Sequence, residues 1–207
     1  MALSKTVAES AEVGRAGILD AAALLFGRQG YGAVSLRMIA EAAGIKAGSI
    51  YYHFASKDDI ITEILDAGIR AVHGEVSARV AALPADAPAR DVFRAVLRGH
   101  LCALLEHGDY TSANVRIFGQ VPPAVRDANL PVRRAYESFL DDLLSELQVR
   151  GAIRSDVNLT RFRLLLIGAL NATLEWFDPQ RGGAEALADD YVDIFLNGVL
   201  AQTGDNT

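Results

Sequence analysis

Hydrophobic residues recur along this chain at helical spacing, and no stretch alternates apolar and polar residues as a half-buried strand does. Residues 36–43 place apolar side chains at positions i, i+3, i+4 and i+7, on one face of a short helix. Gly44 follows at once, where a helix commonly ends in a left-handed residue. The pattern predicts a short helix with a sharp turn after it.

A second short helix is predicted over residues 47–54, with Ile50 and Phe54 four residues apart on its inner side. Ala47 and Gly48 at its start carry almost no side chain, so this end can approach a surface closely. Hydroxyl, imidazole and cationic groups on the outer side of the two helices suit contacts with phosphates and base edges. The residues that supply these groups are Arg37, Lys46, Ser49, Tyr51, Tyr52, His53 and Lys57.

The two helices therefore predict a DNA-binding helix-turn-helix. The alternative is that they are an ordinary pair of packed helices. The run VSLRMIAEAAGIKAGSIYYHFASKDDI, with GILDAAALLFGRQGYGAV before it, resembles the N-terminal domain of the tetracycline-repressor-type (TetR) transcriptional regulators. The resemblance implies phosphate contacts from Ser35, Tyr51, Tyr52, His53 and Lys57, and positions nearest the base edges for Arg37, Lys46, Ala47, Gly48 and Ser49.

One feature of the match affects how a DNA sequence would be read. Ala47 and Gly48 carry no group that can hydrogen-bond to a base. Discrimination between sequences would then depend on Arg37, Lys46, Ser49 and the shape of the DNA.

The chain before the motif divides into an arm and a first helix. Residues 1–13 are expected to form a flexible N-terminal arm, and residues 14–29 a helix that Gly30 ends. With the two motif helices this makes a DNA-binding domain over residues 14–57, which is too small to bury a large core alone. Ser56 followed by Asp59 indicates an N-cap with an acid in the first turn, and predicts a long helix that joins this domain to the next. Movement of that helix would displace the DNA-reading helix.

Residues 58–207 are expected to form a second helical domain, which the resemblance identifies as the ligand-binding and dimerisation domain. Further helices are predicted over residues 88–106, 110–118, 159–177 and 184–202, with Asn158 as an N-cap. Between them, a segment that starts at Pro122 is expected to be interrupted by Pro131 and to end at a Gly151 cap. The whole chain is thus predicted to be all-α, with about nine helices.

The net charge of −6 is unexpected for a DNA-binding protein until it is divided along the chain. Residues 1–13 carry −1, residues 14–57 carry +3 and residues 58–207 carry −8. The positive charge coincides with the motif, and the acidic remainder would keep non-specific binding to nucleic acid weak. The alternative is chance scatter of charge.

Composition and motifs argue against several other classes of protein. A single cysteine excludes an internal disulfide. No apolar run approaches the length of about 18 residues that a membrane span needs, and no secretory signal is present. A cytoplasmic protein is therefore expected. The enzyme motifs HExxH, GxSxG and the P-loop are missing, and no cofactor is expected. His100 and His107 share one predicted helix without a carboxylate partner, which favours packing over a metal site.

The resemblance implies a ligand pocket inside the second domain. Candidates for its wall are Phe93, His100, Arg116, Phe118, Tyr136, Phe139, Asn171, Glu175 and Trp176, although each could be an ordinary core or surface residue. The run GALNATLEWFDPQRGG is similar to the C-terminal region of members that respond to acyl-CoA, fatty-acid or steroid-derived thioesters. Arg161, Arg163 and Arg181 could bind anionic groups of such a ligand, or be solvated.

The last two predicted helices are apolar and contain small residues, which suits pairing with their copies in a four-helix bundle. They could also be core helices of one subunit. The resemblance favours a homodimer through these helices, and its symmetry predicts a palindromic operator.

We therefore expect a homodimeric, ligand-responsive transcriptional regulator. Most simply, it is a repressor that leaves its double-stranded DNA operator when a small hydrophobic or acyl-CoA-like effector binds. The alternative is a helical small-molecule-binding or scaffold protein with a non-functional helix-turn-helix. An enzyme is a third option, although the sequence offers no set of catalytic residues for it.

Overall fold

The computed structural model describes the backbone of residues 2–106 and 108–199 and the side chains of residues 14–106 and 108–197. Within those ranges the chain forms eight α-helices, three short 3-10 helices and no β-strand, which confirms the predicted all-α fold. The α-helices are α1 (Ala2–Gln29), α2 (Leu36–Ala42), α3 (Lys57–Ala81), α4 (Ala89–Leu105), α5 (Asp109–Arg116), α6 (Pro123–Val149), α7 (Leu159–Ala172) and α8 (Ala184–Val199). The 3-10 helices are Ala47–Tyr52, Thr173–Glu175 and Pro179–Arg181.

Capping side chains mark three helix starts. Ser35 Oγ accepts a hydrogen bond from the backbone N–H three residues later, at 3.3 Å, and so caps α2. Ser56 and Asn158 accept from the corresponding N–H groups at 3.1 Å and 3.0 Å, as the sequence predicted for α3 and α7. Each cap satisfies a backbone donor that has no partner inside its helix.

Three helix boundaries differ from the predictions. α1 begins at Ala2 rather than at residue 14, because no glycine or proline interrupts the chain before Gly14. The predicted interruption at Pro131 is wrong: α6 continues through it, since a proline removes only one backbone bond and buried residues anchor the helix on both sides. α7 ends at Ala172 and a 3-10 turn follows, where the Thr173 hydroxyl donates to the Leu170 carbonyl oxygen at 2.6 Å.

Packing divides the chain into two compact units whose boundary differs from the predicted one at residue 57. The first unit contains residues 1–69 and 109–132, and the second contains residues 70–108 and 133–207. The first unit therefore includes the start of α3, all of α5 and the start of α6. The helix-turn-helix is too small to form a core alone, so later segments of the chain complete that core.

The core of the first unit joins α1, the helix-turn-helix, α3 and the segment 109–132. Phe26, Ile50, Ile61 and Ile117 are fully buried members of one continuous apolar cluster. Polar bonds from the segment 109–132 tie the same elements together. The Tyr110 hydroxyl donates to Asp20 Oδ1 on α1 at 2.7 Å, and Asn114 Nδ2 donates to the Leu65 carbonyl oxygen on α3 at 2.8 Å.

The second unit holds α4 against α8 by a row of ion pairs. Arginines at four-residue intervals on α4 face acids at four-residue intervals on α8; Arg90 pairs with Asp193, and Arg98 donates to both carboxylate oxygens of Asp189 at 3.0 Å and 2.6 Å. Such pairs add little stability when exposed, but their spacing fixes the register of the two helices.

Candidate nucleic-acid interface and ligand site

The turn of the helix-turn-helix is built by backbone hydrogen bonds around Gly44. Gly44 has φ +69°, and its N–H donates to the Glu41 carbonyl oxygen at 3.1 Å, while the Ile45 N–H donates to the Ala40 carbonyl oxygen at 2.9 Å. These two bonds form a Schellman motif, which requires the left-handed conformation that glycine adopts without strain. The predicted turn is thus confirmed in detail.

The second motif helix is a 3-10 helix of six residues, Ala47–Tyr52, rather than the predicted α-helix over residues 47–54. The Ser49 N–H donates to the Lys46 carbonyl oxygen at 2.8 Å, in the i to i−3 pattern of a 3-10 turn. Gly48 and the β-branched and aromatic residues after it have low helix propensity, so packing determines the conformation here. The buried side chains of Ile50 and Phe54 provide that packing.

Tyr51 and Tyr52 point away from this core. Their side chains are 63% and 88% exposed, although tyrosine is ordinarily a half-buried residue. Because Ile50 and Phe54 are anchored on the other side, the two phenol rings are presented at the surface by a fixed backbone. This arrangement makes two hydroxyl groups available to an external partner.

The ten predicted DNA-contacting residues lie on or beside this surface. Ser35, Arg37, Lys46, Ala47, Gly48, Tyr51 and Tyr52 are exposed, and Ser49, His53 and Lys57 are half-buried. The His53 ring is next to Gly14 on α1, where an added Cβ would lie 3.6 Å from it. All ten belong to the first unit, and none of them is buried.

Lys57 has a second set of partners that the sequence did not reveal. Its Nζ donates to the carbonyl oxygens of Tyr31 and Val34 at 2.9 Å and 3.0 Å, and lies 3.9 Å from the centre of the Tyr31 ring. The Tyr31 hydroxyl in turn donates to Asp58. Burial, followed by this hydrogen bond, raises the pKa of Tyr31, so the phenol stays protonated.

Two further residues that the sequence did not single out support the same region. Arg15 pairs with Glu63 on α3, and its guanidinium lies 4.6 Å from the centre of the Phe54 ring. Gln120 Oε1 accepts from the Tyr31 N–H at 3.2 Å, from the connection between α5 and α6. No local sequence pattern signals either contact, because the partners are 48 and 89 residues apart.

Three of the nine predicted ligand residues meet inside the second unit. His100 on α4 lies with Nδ1 2.9 Å from the Tyr136 hydroxyl on α6 and with Nε2 3.3 Å from Asn171 Oδ1 on α7. His100 and Tyr136 are both buried. Burial lowers the pKa of His100 to about 4, so the ring is neutral.

The other six candidates do not join this cluster as one site. Phe93 is buried against Phe162, with ring centres 6.0 Å apart, and Phe139 lies against His73 at 5.1 Å. Arg116 and Phe118 belong to the other compact unit, and Glu175 is exposed. Trp176 is 54% exposed.

Trp176 lines an open cavity of about 190 Å³ on the second unit. Phe177, Arg181 and Leu187 contribute to the same wall, with the backbone of Gly182 and Gly183. Asp178 and Asp190 line it as well, so an anionic group held by the Trp176 ring and the Arg181 guanidinium would also face two carboxylates.

The three arginines that could bind anions differ in availability. Arg163 is buried and donates from Nε to Asp141 Oδ1 at 2.7 Å, with Glu137 3.6 Å from its NH1, so its charge is already neutralised. Arg161 and Arg181 are exposed, and Arg181 Nε lies 3.5 Å from Asp178 Oδ2.

Several exposed apolar side chains of the second unit lie on its last two α-helices. Leu164 and Leu165 on α7 and Ile194 on α8 are each more than half exposed. The two helices are in contact through the rings of Phe162 and Phe195, 6.1 Å apart, and exposed apolar side chains on adjoining helices commonly mark an interface with another protein.

The described residues contain neither a metal-ligand cluster nor a membrane-spanning helix. In the part of the chain whose side chains are described, no three metal-ligating residues cluster; His107, which the sequence pairs with His100, lies outside the described residues. Among the described helices none is long and apolar enough to span a membrane.

Comparison with known proteins assigns the family. Residues 18–64 match the family model "Bacterial regulatory proteins, tetR family", and residues 86–199 match "Tetracyclin repressor-like, C-terminal domain". The chain is 32% identical over 199 residues to the HTH-type transcriptional repressor KstR2 of Rhodococcus jostii strain RHA1, covering 90% of this chain and 91% of the relative. It is 25% identical to the fatty acid metabolism regulator protein of Bacillus subtilis, covering 88% and 93%.

The fold agrees with that assignment. The crystal structure of AibR in complex with isovaleryl coenzyme A and operator DNA superposes with a TM-score of 0.77 at 23% identity, over 87% of this chain and 97% of AibR. The relatives are named as regulators and repressors, which confirms a regulator rather than an enzyme. The protein belongs to the TetR family of bacterial transcriptional regulators.

Proposed function

We propose that this regulator is a cytoplasmic homodimeric repressor that binds a palindromic operator and is released by an acyl-CoA-like effector. The observation that carries the DNA-binding part is the exposed pair Tyr51 and Tyr52, held by the buried Ile50 and Phe54 beneath them. A rigid backbone that presents two phenols and no large apolar group suits the sugar–phosphate backbone of DNA.

The residues around the tyrosines have distinct roles in this proposal. Ser35, Tyr51, Tyr52 and His53 position the protein on phosphates, while Lys57 has one N–H left for a phosphate after its two carbonyl bonds. Arg37, Lys46 and Ser49 are the groups able to read base edges; Ala47 and Gly48 allow the helix to approach the groove.

The homodimer is proposed to form through α7 and α8. Leu164, Leu165 and Ile194 are more than half exposed on these helices, and a two-fold contact between copies would bury them. Such a dimer presents two DNA-reading surfaces with two-fold symmetry. The operator is then a palindrome with half-sites separated by about one helical turn, roughly 34–36 Å, or a multiple of it.

The effector is proposed to be an acyl-CoA-like molecule whose nucleotide end occupies the cavity at Trp176 and Arg181. That cavity offers an aromatic ring for stacking and the exposed Arg181 guanidinium, which would exchange its ion pair with Asp178, 3.5 Å away, for a phosphate. Its volume of about 190 Å³ is smaller than a typical pocket of 300–1,000 Å³ for a drug-sized ligand, so it would hold only part of the molecule. The relative named as a fatty acid metabolism regulator protein supports this direction.

Release from DNA follows from linkage. In one form of the dimer, the two DNA-reading surfaces do not match successive major grooves. An effector that binds this form more tightly lowers the affinity for the operator, and the operator lowers the affinity for the effector by the same factor. A coupling of 1–3 kcal/mol would change affinity about 5- to 150-fold.

The test is an operator-release experiment. Fragments from the DNA flanking the protein's own gene are first screened for a bound site by gel shift, and the protected palindrome is then labelled. Fluorescence anisotropy of that duplex is measured with isovaleryl-CoA, stearoyl-CoA and, as the control, free coenzyme A. Release by a thioester but not by free coenzyme A is expected. Operator binding that stays unchanged at saturating thioester contradicts the effector class, and failure to find any specific operator contradicts the regulator role of this helix-turn-helix.

A further inference from the structure

The 3-10 helix Ala47–Tyr52, which carries the two exposed phenols, leads directly into His53 and Phe54. The N–H groups of these two residues both donate to the Ile50 carbonyl oxygen, each at 3.0 Å, so their backbone continues from the helix. A helix of six residues in the 3-10 form has little stability of its own. The direction of the exposed phenols therefore depends on the contacts that hold His53 and Phe54.

Two consecutive residues of α1 contact this end of the helix-turn-helix. A Cβ added at Gly14 would lie 3.6 Å from the His53 ring, and the guanidinium carbon of Arg15 lies 4.6 Å from the centre of the Phe54 ring. That distance is within the range of a cation–π interaction. Phe54 belongs to the core of the first unit, so the Arg15 guanidinium lies against a ring that is itself buried.

A carboxylate on another helix fixes the plane of the same guanidinium. NH1 and NH2 of Arg15 donate to the two carboxylate oxygens of Glu63 on α3. This bidentate geometry is one that a guanidinium forms and a lysine ammonium cannot. One side chain thus links α1, α3 and the end of the tyrosine-bearing segment.

Arg15 is suited to act on DNA binding through Phe54 rather than through a phosphate. Both of its terminal nitrogens already donate to Glu63, whose negative charge offsets the positive charge of the guanidinium. The Arg15 side chain is also 43% exposed, and an ion pair of that exposure contributes little to the stability of the whole fold. Its effect should therefore fall on the residues that it contacts.

We propose that Arg15 is a positioning residue for DNA recognition, because its guanidinium joins the Phe54 ring to Glu63 and so fixes the direction of the exposed tyrosines. The inference rests on the proposed function, since it concerns how the same surface meets the operator. It predicts a loss of specificity rather than a uniform loss of affinity. A displaced helix disturbs contacts that only the operator makes, whereas non-specific binding depends on charge.

The experiment uses the full-length protein and two arginine variants. Arg15→Lys keeps the positive charge but loses the bidentate pair and the planar group over the ring. Arg28→Lys is the matched control, because Arg28 is an exposed residue in the last turn of the same helix. Affinities for the labelled operator and for a scrambled duplex of equal length are measured by fluorescence anisotropy at one salt concentration.

Amide hydrogen exchange, followed by NMR without DNA, tests the positioning separately. The amides of His53 and Phe54 report on the end of the tyrosine-bearing segment, and the amide of Ile61 on α3 reports on the core of the same unit. Local opening accelerates exchange only where the contacts are lost, whereas a general loss of stability accelerates it throughout the unit.

In Arg15→Lys, the ratio of operator affinity to scrambled-duplex affinity is expected to fall about fivefold. The His53 and Phe54 amides should exchange about fivefold faster, and the Ile61 amide at an unchanged rate. Arg28→Lys should alter neither the affinity ratio nor the exchange.

Glu63→Gln tests the same pair from its other member, and keeps the proposal testable if Arg15→Lys does not fold. This variant removes one negative charge, so a purely electrostatic role would raise the affinity for both duplexes by the same factor and leave their ratio unchanged. The positioning role predicts that the ratio falls about threefold, because the guanidinium loses its bidentate partner but keeps the Phe54 ring.

Three results would overturn the proposal: an affinity ratio that does not fall in the folded variants, unchanged exchange at His53 and Phe54, or an equal acceleration of exchange at Ile61. The last result would show that the pair only stabilises the unit. If the two amides respond as expected but no duplex is bound specifically, then the operator assignment fails and the positioning of this segment by Arg15 stands.

Discussion

Lys57 Nζ donates a 2.9 Å hydrogen bond to the carbonyl oxygen of Tyr31, across the end of the first helix and the start of the third. Family resemblance assigns Lys57 to a phosphate, yet here it also closes the loop that positions the helix-turn-helix. We expect Lys57→Met to lower the free energy of unfolding by about 2 kcal/mol, because two charge-assisted bonds are lost from a half-buried site. Urea unfolding measures this loss.

The matched control for Lys57 is Lys46→Met, because Lys46 is exposed at the start of the 3-10 helix. Its substitution should leave stability within about 0.5 kcal/mol and reduce the slope of log affinity against log salt by about one unit. Equal stability of the two variants would show that the Lys57 contacts do not support the fold.

Tyr51→Phe and Tyr52→Phe remove one hydroxyl each from the exposed pair. Both side chains are mostly exposed, so stability should not change, while operator affinity should fall about three- to tenfold for each lost phosphate bond. Anisotropy of a labelled operator at two salt concentrations measures the change. Unchanged affinity in both variants would place the DNA contact elsewhere.

Gly68 lies where α3 crosses α5 in the first unit. A Cβ added there would be 2.2 Å from the Tyr110 carbonyl oxygen, so Gly68→Ala must push α5 away and should destabilise the protein by about 1–3 kcal/mol. Gly74→Ala on the same helix meets no atom within 4 Å and should instead stabilise it by about 0.5–1 kcal/mol. Opposite signs in chemical denaturation are the expected result, and a neutral Gly68→Ala would contradict the close crossing.

His100 should make stability depend on pH between its unfolded pKa of 6.5 and its folded pKa of about 4. The unfolded state binds a proton in this window and the folded state does not, so stability is full above pH 6.5 and falls as the pH decreases toward 4. The loss amounts to as much as about 3 kcal/mol. Urea unfolding of the natural protein and of His100→Gln at pH 7, 6 and 5 isolates this contribution, which the variant should lack.

Leu165→Glu should convert the proposed dimer into monomers, because it places a charge in the apolar surface of α7. Val149→Glu is the control, since Val149 is also an exposed apolar residue but lies at the end of α6. Sedimentation velocity at several concentrations distinguishes the two. A dimer that tolerates Leu165→Glu would locate the interface on another surface.

Much of the reading surface could be predicted because its signals are local. Gly44 is required for the left-handed turn, Ser35 and Ser56 cap the helices that follow them, and Ile50 with Phe54 defines which side is buried. Each of these signals depends on residues only a few positions apart. Tyr51 and Tyr52 are then exposed because the other side of the same short helix is anchored.

The ligand residues were less predictable, because a single sequence shows which residues are aromatic or polar but not which ones meet. His100 is 36 residues from Tyr136 and 71 residues from Asn171, and no periodicity in the sequence links the three. Arg163 was a candidate for binding anions on the basis of its residue type alone. In the structure its guanidinium is already paired with the carboxylates of Asp141 and Glu137.

The helical class, the turn at Gly44 and the outward side of the tyrosine-bearing helix could all be predicted from the amino-acid sequence, because capping, glycine conformation and helical periodicity act within one or two turns. Four features became visible only in the folded chain: residues 109–132 complete the first core, α6 continues through Pro131, Lys57 closes a loop, and His100 contacts Tyr136. These features depend on contacts between segments that are distant in the sequence. Such contacts stabilise the fold only after the chain has brought the segments together.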